Sequence, residues 1–196
     1  MSVKESGSGN TDHRIRPVAR IHTDFPTKFG IPRQSGLTGE LESRIVFEPE
    51  FSNPDAVRGI EEFSHLWLIW EFSENVRDPK KWSPTVRPPR LGGNTRVGVF
   101  ATRSSFRPNS LGLSVVRLKA VETGENGMPV LVVTGADMMD GTPVFDIKPY
   151  IPFADSHPEA KGGFTDQTKE YGLDVRIPEE FLTLLPEEKR APLRTV

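Results

Sequence analysis

Short apolar runs broken by Gly and Pro recur along this 196-residue chain and limit what it can fold into. Val18–His22, Leu41–Phe47, His65–Phe72, Val97–Ala101, Leu111–Leu118, Val130–Thr134 and Pro143–Ile147 each have the length of a strand and fall short of a typical helix. The 17 Gly and 18 Pro disfavour long helices, because Gly costs backbone entropy and Pro removes a donor. Gly124–Gly127 reads as a hairpin turn, Asp140-Gly141 as a tight turn, and Pro149 and Pro152 as stops. Asn53–Ser64 is the clearest helical segment. Asn53 suits the cap, Pro54 the first turn and Asp55 the positive end of the dipole, and Val57, Ile60 and Phe63 form an inward stripe. His65–Phe72 is apolar on both faces and reads as a central buried strand. The pattern predicts a mainly β fold: a small antiparallel β-barrel with one short helix and a small C-terminal extension. Residues 1–13 read as a disordered polar tail, 14–156 as the barrel domain, and 157–196 as a partly helical extension with a short helix at Pro178–Leu185.

The absence of Cys excludes disulfides, thiolate nucleophiles and sulfur-bound zinc. The four His are scattered, so no metal is expected. No apolar run reaches the ~20 residues that span a bilayer, and the N-terminus lacks a signal-peptide core, so the expected address is cytoplasmic. The net charge of −2 gives no global case for nucleic acid. Its distribution does more, since Arg77–Arg107 holds eight basic residues and one acid, Asp78. That stretch predicts a positive face, with Trp82 as a stacking candidate.

Neither a dinucleotide glycine motif nor a P-loop is present, and GxSxG is absent. Four polar clusters interrupt the strands instead. They are Pro32-Arg33-Gln34, His65-Leu66, Arg103–Asn109, and Asp140–Pro143 with Asp146 and Lys148. Taken singly, His65 reads as a structural histidine and Asp140 as a turn-former. The Arg103–Asn109 link, with its Arg and Ser side chains and Pro108 between two apolar runs, suits an anion or carboxylate.

FPTKFGIPRQ at Phe25–Gln34, AVRGIEEFSHLWLIW at Ala56–Trp70, the run from Thr85 to Ser114, and DGTPVFDIKPYIPFAD at Asp140–Asp155 resemble, in order, the TsaA-like (YaeB/TrmO) family. The resemblance covers Pro17 to about Ser156. It implies a β-barrel methyltransferase that uses S-adenosyl-L-methionine, acts on N6 of threonylcarbamoyladenosine at position 37 of tRNA, and works as a homodimer with the cofactor near the subunit interface. The implied cofactor contacts are Pro32, Arg33, Gln34, His65, Leu66, Arg103, Leu113, Asp140, Gly141, Thr142 and Pro143. Arg103 or Arg33 would take the cofactor's carboxylate, Asp140 its ammonium or ribose, and Leu66, Leu113 and Gln34 its adenine. His65, Asp140 or Asp146 would assist proton loss in a catalytic role, and no metal is needed. The anticodon loop would meet Lys28, Lys80, Lys81, Arg87, Arg90, Arg107 and Lys148. Related bacterial chains usually continue beyond the barrel to a DPRPxY-like segment, which does not occur in this sequence.

Overall fold

In a computed structural model, residues 13–39, 41–75, 82–167 and 175–195 are described. Eight strands occur among them: β1 (Ala19–His22), β2 (Glu42–Phe47), β3 (His65–Glu71), β4 (Thr85–Val86), β5 (Val97–Gly98), β6 (Leu111–Thr123), β7 (Pro129–Thr134) and β8 (Thr142–Pro149). Six close into a barrel in the order β1-β2-β7-β6-β3-β8, every pair antiparallel. The pairing of β8 with β1 completes the ring and removes the free edges an open sheet would leave. β4 and β5 form a separate two-stranded ribbon.

Period-two patterning decides which side chains fill the interior. Ala19 and Ile21, then Ile45, then Leu66, Leu68 and Trp70 alternate with exposed or half-buried neighbours. They meet Val116, Leu131, Val133 and Val144 in one core. Burying each such aliphatic side chain contributes roughly 1.5–3 kcal/mol. β3 lies between β6 and β8, as its apolar run predicts. The expected hairpin joins β6 to β7, its turn closed by the Gly124 N–H to Met128 O bond. β8 steps out of register with β3 between Ile69 and Trp70, leaving Phe145 as an extra residue in a bulge.

The segment Asn53–Ser64 differs from the predicted helix. It forms two 3₁₀ turns, Pro54–Val57 and Ile60–Glu62. Asn53 does cap the first, its Oδ1 accepting the Asp55 N–H at 2.9 Å. Gly59 then turns left-handed at φ 83°, which stops propagation between the β-branched Val57 and Ile60. Val57 and Ile60 still pack on the barrel, whereas Phe63 is exposed.

The outer face of β3 is covered by the chain that follows β8. In the short helix α1 (Pro152–Asp155), Asp155 Oδ2 accepts the Trp67 Nε1–H at 3.0 Å and the Ile151 N–H at 2.8 Å. Near the C-terminus, α2 (Glu179–Leu182) buries Leu182, and Lys189 in α3 (Glu187–Thr195) pairs with Asp24 just after β1. Residues 1–12 lie outside the described residues.

Gly112 sits opposite Trp70 on β6, with the indole laid against its backbone. A Cβ there would come within 2.3 Å of the ring. Gly112→Ala should lower unfolding free energy by about 1–3 kcal/mol, read from the urea midpoint. The Asp155 carboxyl is held below its usual range, first by the Ile151 N–H and then by the Trp67 indole. A depressed carboxylate stabilises the fold above its unfolded pKa, and the gain is lost as pH falls through the lower folded value. Asp155→Ala should therefore destabilise at neutral pH and flatten the loss of stability below about pH 3.8. Urea midpoints across that acid range check it.

Candidate active site

A cleft of about 820 Å³ opens at the barrel end where β3 finishes and β6 begins. Its floor is Trp70, Gly112 and Met138, and its walls come from four segments: Lys28–Gln34, Phe72–Asn75 just after β3, the β5–β6 link Thr102–Asn109, and the β7–β8 link at Asp137–Met139. Backbone bonds stitch these loops together. The Gly36 N–H meets Gly135 O at 2.9 Å, and the Asp140 N–H meets Phe25 O at 2.8 Å. Thr23 Oγ1 adds a bond to Met138 O at 3.1 Å.

Arg103 is exposed at the mouth and donates to Gln34 Oε1 at 2.6 Å, while Gln34 Nε2 donates to Arg33 O. Two of the predicted clusters are thus brought together from positions 69 residues apart. Arg107 is half-buried and bonds Thr102 O at 3.0 Å and Ser104 O at 3.2 Å. That guanidinium shapes its own link, although the sequence cast it as an RNA contact.

The structure also joins a group that the sequence reading did not single out. Ser114 Oγ donates to Asp137 Oδ1 at 2.6 Å and accepts the Trp70 Nε1–H at 3.0 Å. Burial raises the Asp137 pKa above the usual carboxylate value. The Ser114 hydroxyl, the backbone N–H groups of Asp137 and Ser35, and the Arg103 charge pull against it. The sequence signal was an acid alone in the apolar run Ala136-Asp137-Met138-Met139.

Lys28, Pro32, Arg33, Gln34, Arg103, Arg107, Leu113 and Thr142 all line the cleft. His65 and Leu66 do not. They begin β3, whose rise of ~3.3 Å per residue puts them more than 10 Å from Trp70. Leu66 is fully buried in the core, and the His65 ring meets Ser64 Oγ and the edge of Tyr150. Asp140 turns away to the Thr23 N–H and His22 Nδ1, at 3.1 and 3.2 Å. Gly141 O accepts from Arg20, and Pro143 pairs with Arg20 in the barrel wall. Asp146 bonds the Ile147 N–H and pairs with Lys148 at 3.1 Å. Arg87 and Arg90 are exposed beside β4, whereas Lys80 and Lys81 lie outside the described residues. Trp82 is half exposed and tilts against Phe100 at 6.1 Å between ring centres. Among the described residues no group of three His, Asp or Glu is placed to hold a metal, and no helix is long and apolar enough to cross a membrane.

Among the described residues the main sheet is a closed antiparallel barrel and no dinucleotide-type sheet occurs, and solved structures share that fold. The crystal structure of TrmO from Pseudomonas aeruginosa superposes with a TM-score of 0.64 at 36% identity, over 82% of this chain and 66% of that one. The chain belongs to the tRNA-methyltransferase O N-terminal domain family, whose profile matches residues 20–156. It is 44% identical over 187 residues to the tRNA (adenine(37)-N6)-methyltransferase of Escherichia coli K12, covering 93% of this chain and 77% of that protein. A second relative, from Pseudomonas aeruginosa, is named for S-adenosylmethionine-dependent methyl transfer. It is 46% identical over 154 residues, or 79% of this chain and 61% of its own length. The chain thus spans under two thirds of that second relative's length.

Proposed function

We propose that this chain transfers a methyl group from S-adenosyl-L-methionine to N6 of threonylcarbamoyladenosine at position 37 of tRNA, in the cytoplasm. One observation carries the reading. A chain of the TrmO family over residues 20–156 sets an exposed guanidinium, Arg103, and a half-buried carboxylate, Asp137, over an apolar floor in a single cleft. The guanidinium suits the donor's carboxylate, the apolar floor its adenine, and the carboxylate an acceptor nitrogen that must lose a proton. The cleft is of small-molecule size.

Each group in the cleft then has a task. Arg103, steadied by Gln34, offers its fork to the donor's carboxylate, with Arg33 beside it. Leu113, Met138 and the edge of Trp70 give the adenine an apolar wall. When bound, the cofactor supplies a methyl group already activated by positive sulfur. The protein's work is therefore mainly to hold donor and acceptor in line and to exclude water. Arg87 and Arg90 hold anticodon-loop phosphates, and Lys28 guards the mouth near the presented base. Phe100, 73% exposed, and Leu113, 55% exposed, line the same cleft and present apolar surface that suits a second copy of the chain and so supports a homodimer.

Radiolabelled methyl transfer to total tRNA from cells lacking this gene, with nucleoside identification, tests the reading. Label in any other nucleoside overturns the acceptor. Arg103→Ala should weaken S-adenosylhomocysteine binding about 10- to 100-fold by calorimetry while leaving the fold intact. Arg87→Ala with Arg90→Ala should weaken tRNA binding, lower its log-log salt slope by about 1.4, and spare the cofactor. Filter binding across a salt series reads that slope.

A further inference from the structure

The acceptor nitrogen sets a problem that the cofactor does not solve. N6 of a threonylcarbamoyladenosine is bonded to both a purine ring and a carbonyl. Its lone pair is drawn into both, so the neutral nitrogen is a poor nucleophile. Loss of its proton restores reactivity, and a carboxylate in a water-poor cleft is a suitable acceptor for it.

The three residues named for this role in the sequence do not face the cleft. Asp140 caps the turn at Thr23, Asp146 pairs with Lys148, and His65 stands at the far end of β3. Asp137 does face it. Its surroundings also fix how it points. An indole N–H can only donate, so Trp70 occupies a lone pair of Ser114 Oγ and directs the Ser114 hydrogen onto Asp137 Oδ1. The carboxyl is therefore oriented by a chain of bonds rooted in the barrel core. We propose that Asp137, oriented by Ser114 and Trp70, takes the N6 proton as the methyl group is transferred.

The step balances. The N6–H bond breaks toward the carboxylate, and the electron pair left on nitrogen forms the N6–C bond. The carbon–sulfur bond of the donor breaks, its pair stays on sulfur, and the positive charge there is cancelled. Asp137 ends protonated and returns the proton to water at the open mouth.

Burial is what gives this carboxyl its affinity for a proton. Arg103 faces it from the β5–β6 link and opposes that effect. Of the other charged groups, Lys28, Arg33 and Arg107 line the same cleft, as do Glu71 and Glu74. Asp140 lies on Asp137's own link, turned outward.

This inference rests on the methyltransferase reading, and the test keeps the two apart. Wild-type protein that neither binds S-adenosylhomocysteine nor labels tRNA overturns the reading itself. If the wild type does both, Asp137→Asn should keep S-adenosylhomocysteine affinity within about threefold and slow single-turnover transfer about 100-fold or more. It should also remove the rising limb of the rate against pH. Ser114→Ala deletes a bond that favours the charged carboxylate, so the limb should shift to higher pH. The Asp137 carboxyl carbon, titrated by NMR in the ligand-free protein, should shift the same way. A wild-type rate in Asp137→Asn, a limb unmoved in Ser114→Ala, or a loss of S-adenosylhomocysteine binding beyond tenfold in Asp137→Asn would each overturn the assignment. The last result would make Asp137 a cofactor ligand instead.

Discussion

Trp70 ties the interior of the barrel to the chemistry at its end. Its ring fills the core, lies against Gly112 across the β3–β6 pairing, and meets Phe72 in a tilted contact with ring centres 4.3 Å apart. Its one polar atom leaves the core through Ser114 and ends on the carboxylate that faces the cleft. A buried indole needs a partner for its N–H, and here the partner is the first link to the site. Packing of the core and orientation of Asp137 therefore depend on the same side chain. The closed sheet supplies rigidity, and the loops at one end supply the functional groups.

The strands were legible because each buries one face, and alternation marks that in sequence: Ala19 and Ile21, Ile45, Leu66 and Leu68. The turns were legible from Gly124–Gly127 and Asp140-Gly141, which are local signals. Asn53–Ser64 was misjudged because cap, proline and apolar spacing all agreed on a helix, while Gly59 chose a left-handed conformation at its centre. Local signs cannot outweigh the docking of Val57 and Ile60 on a curved wall.

The site divided along similar lines. Arg33, Gln34, Arg103 and Leu113 stood out by residue type, and the fold gathers them. Asp137 did not stand out, because what distinguishes it is contributed by Ser35, Arg103 and Ser114, which are distant in sequence. His65 and Asp140 bear chemically able groups, yet the direction of a side chain is set by neighbours such as Tyr150 or Thr23 that no spacing rule reveals. The positive stretch carried a mixed message for the same reason. Arg107 uses its charge on the carbonyls of its own link, and Arg87 and Arg90 present theirs to water.

The bulge at Phe145 has a bearing on how this chain can vary in length. On either side of it, Val144 meets Trp70 and Asp146 meets Ile69, so the extra residue is absorbed without reversing the sidedness of β8. Removing one residue elsewhere in that strand would swap interior for exterior along everything beyond the cut. Removing Phe145 itself would keep every facing pair and forfeit only the bend. Single-residue length change in β8 is thus confined to one position, whereas the surface loops are free to lengthen or shorten.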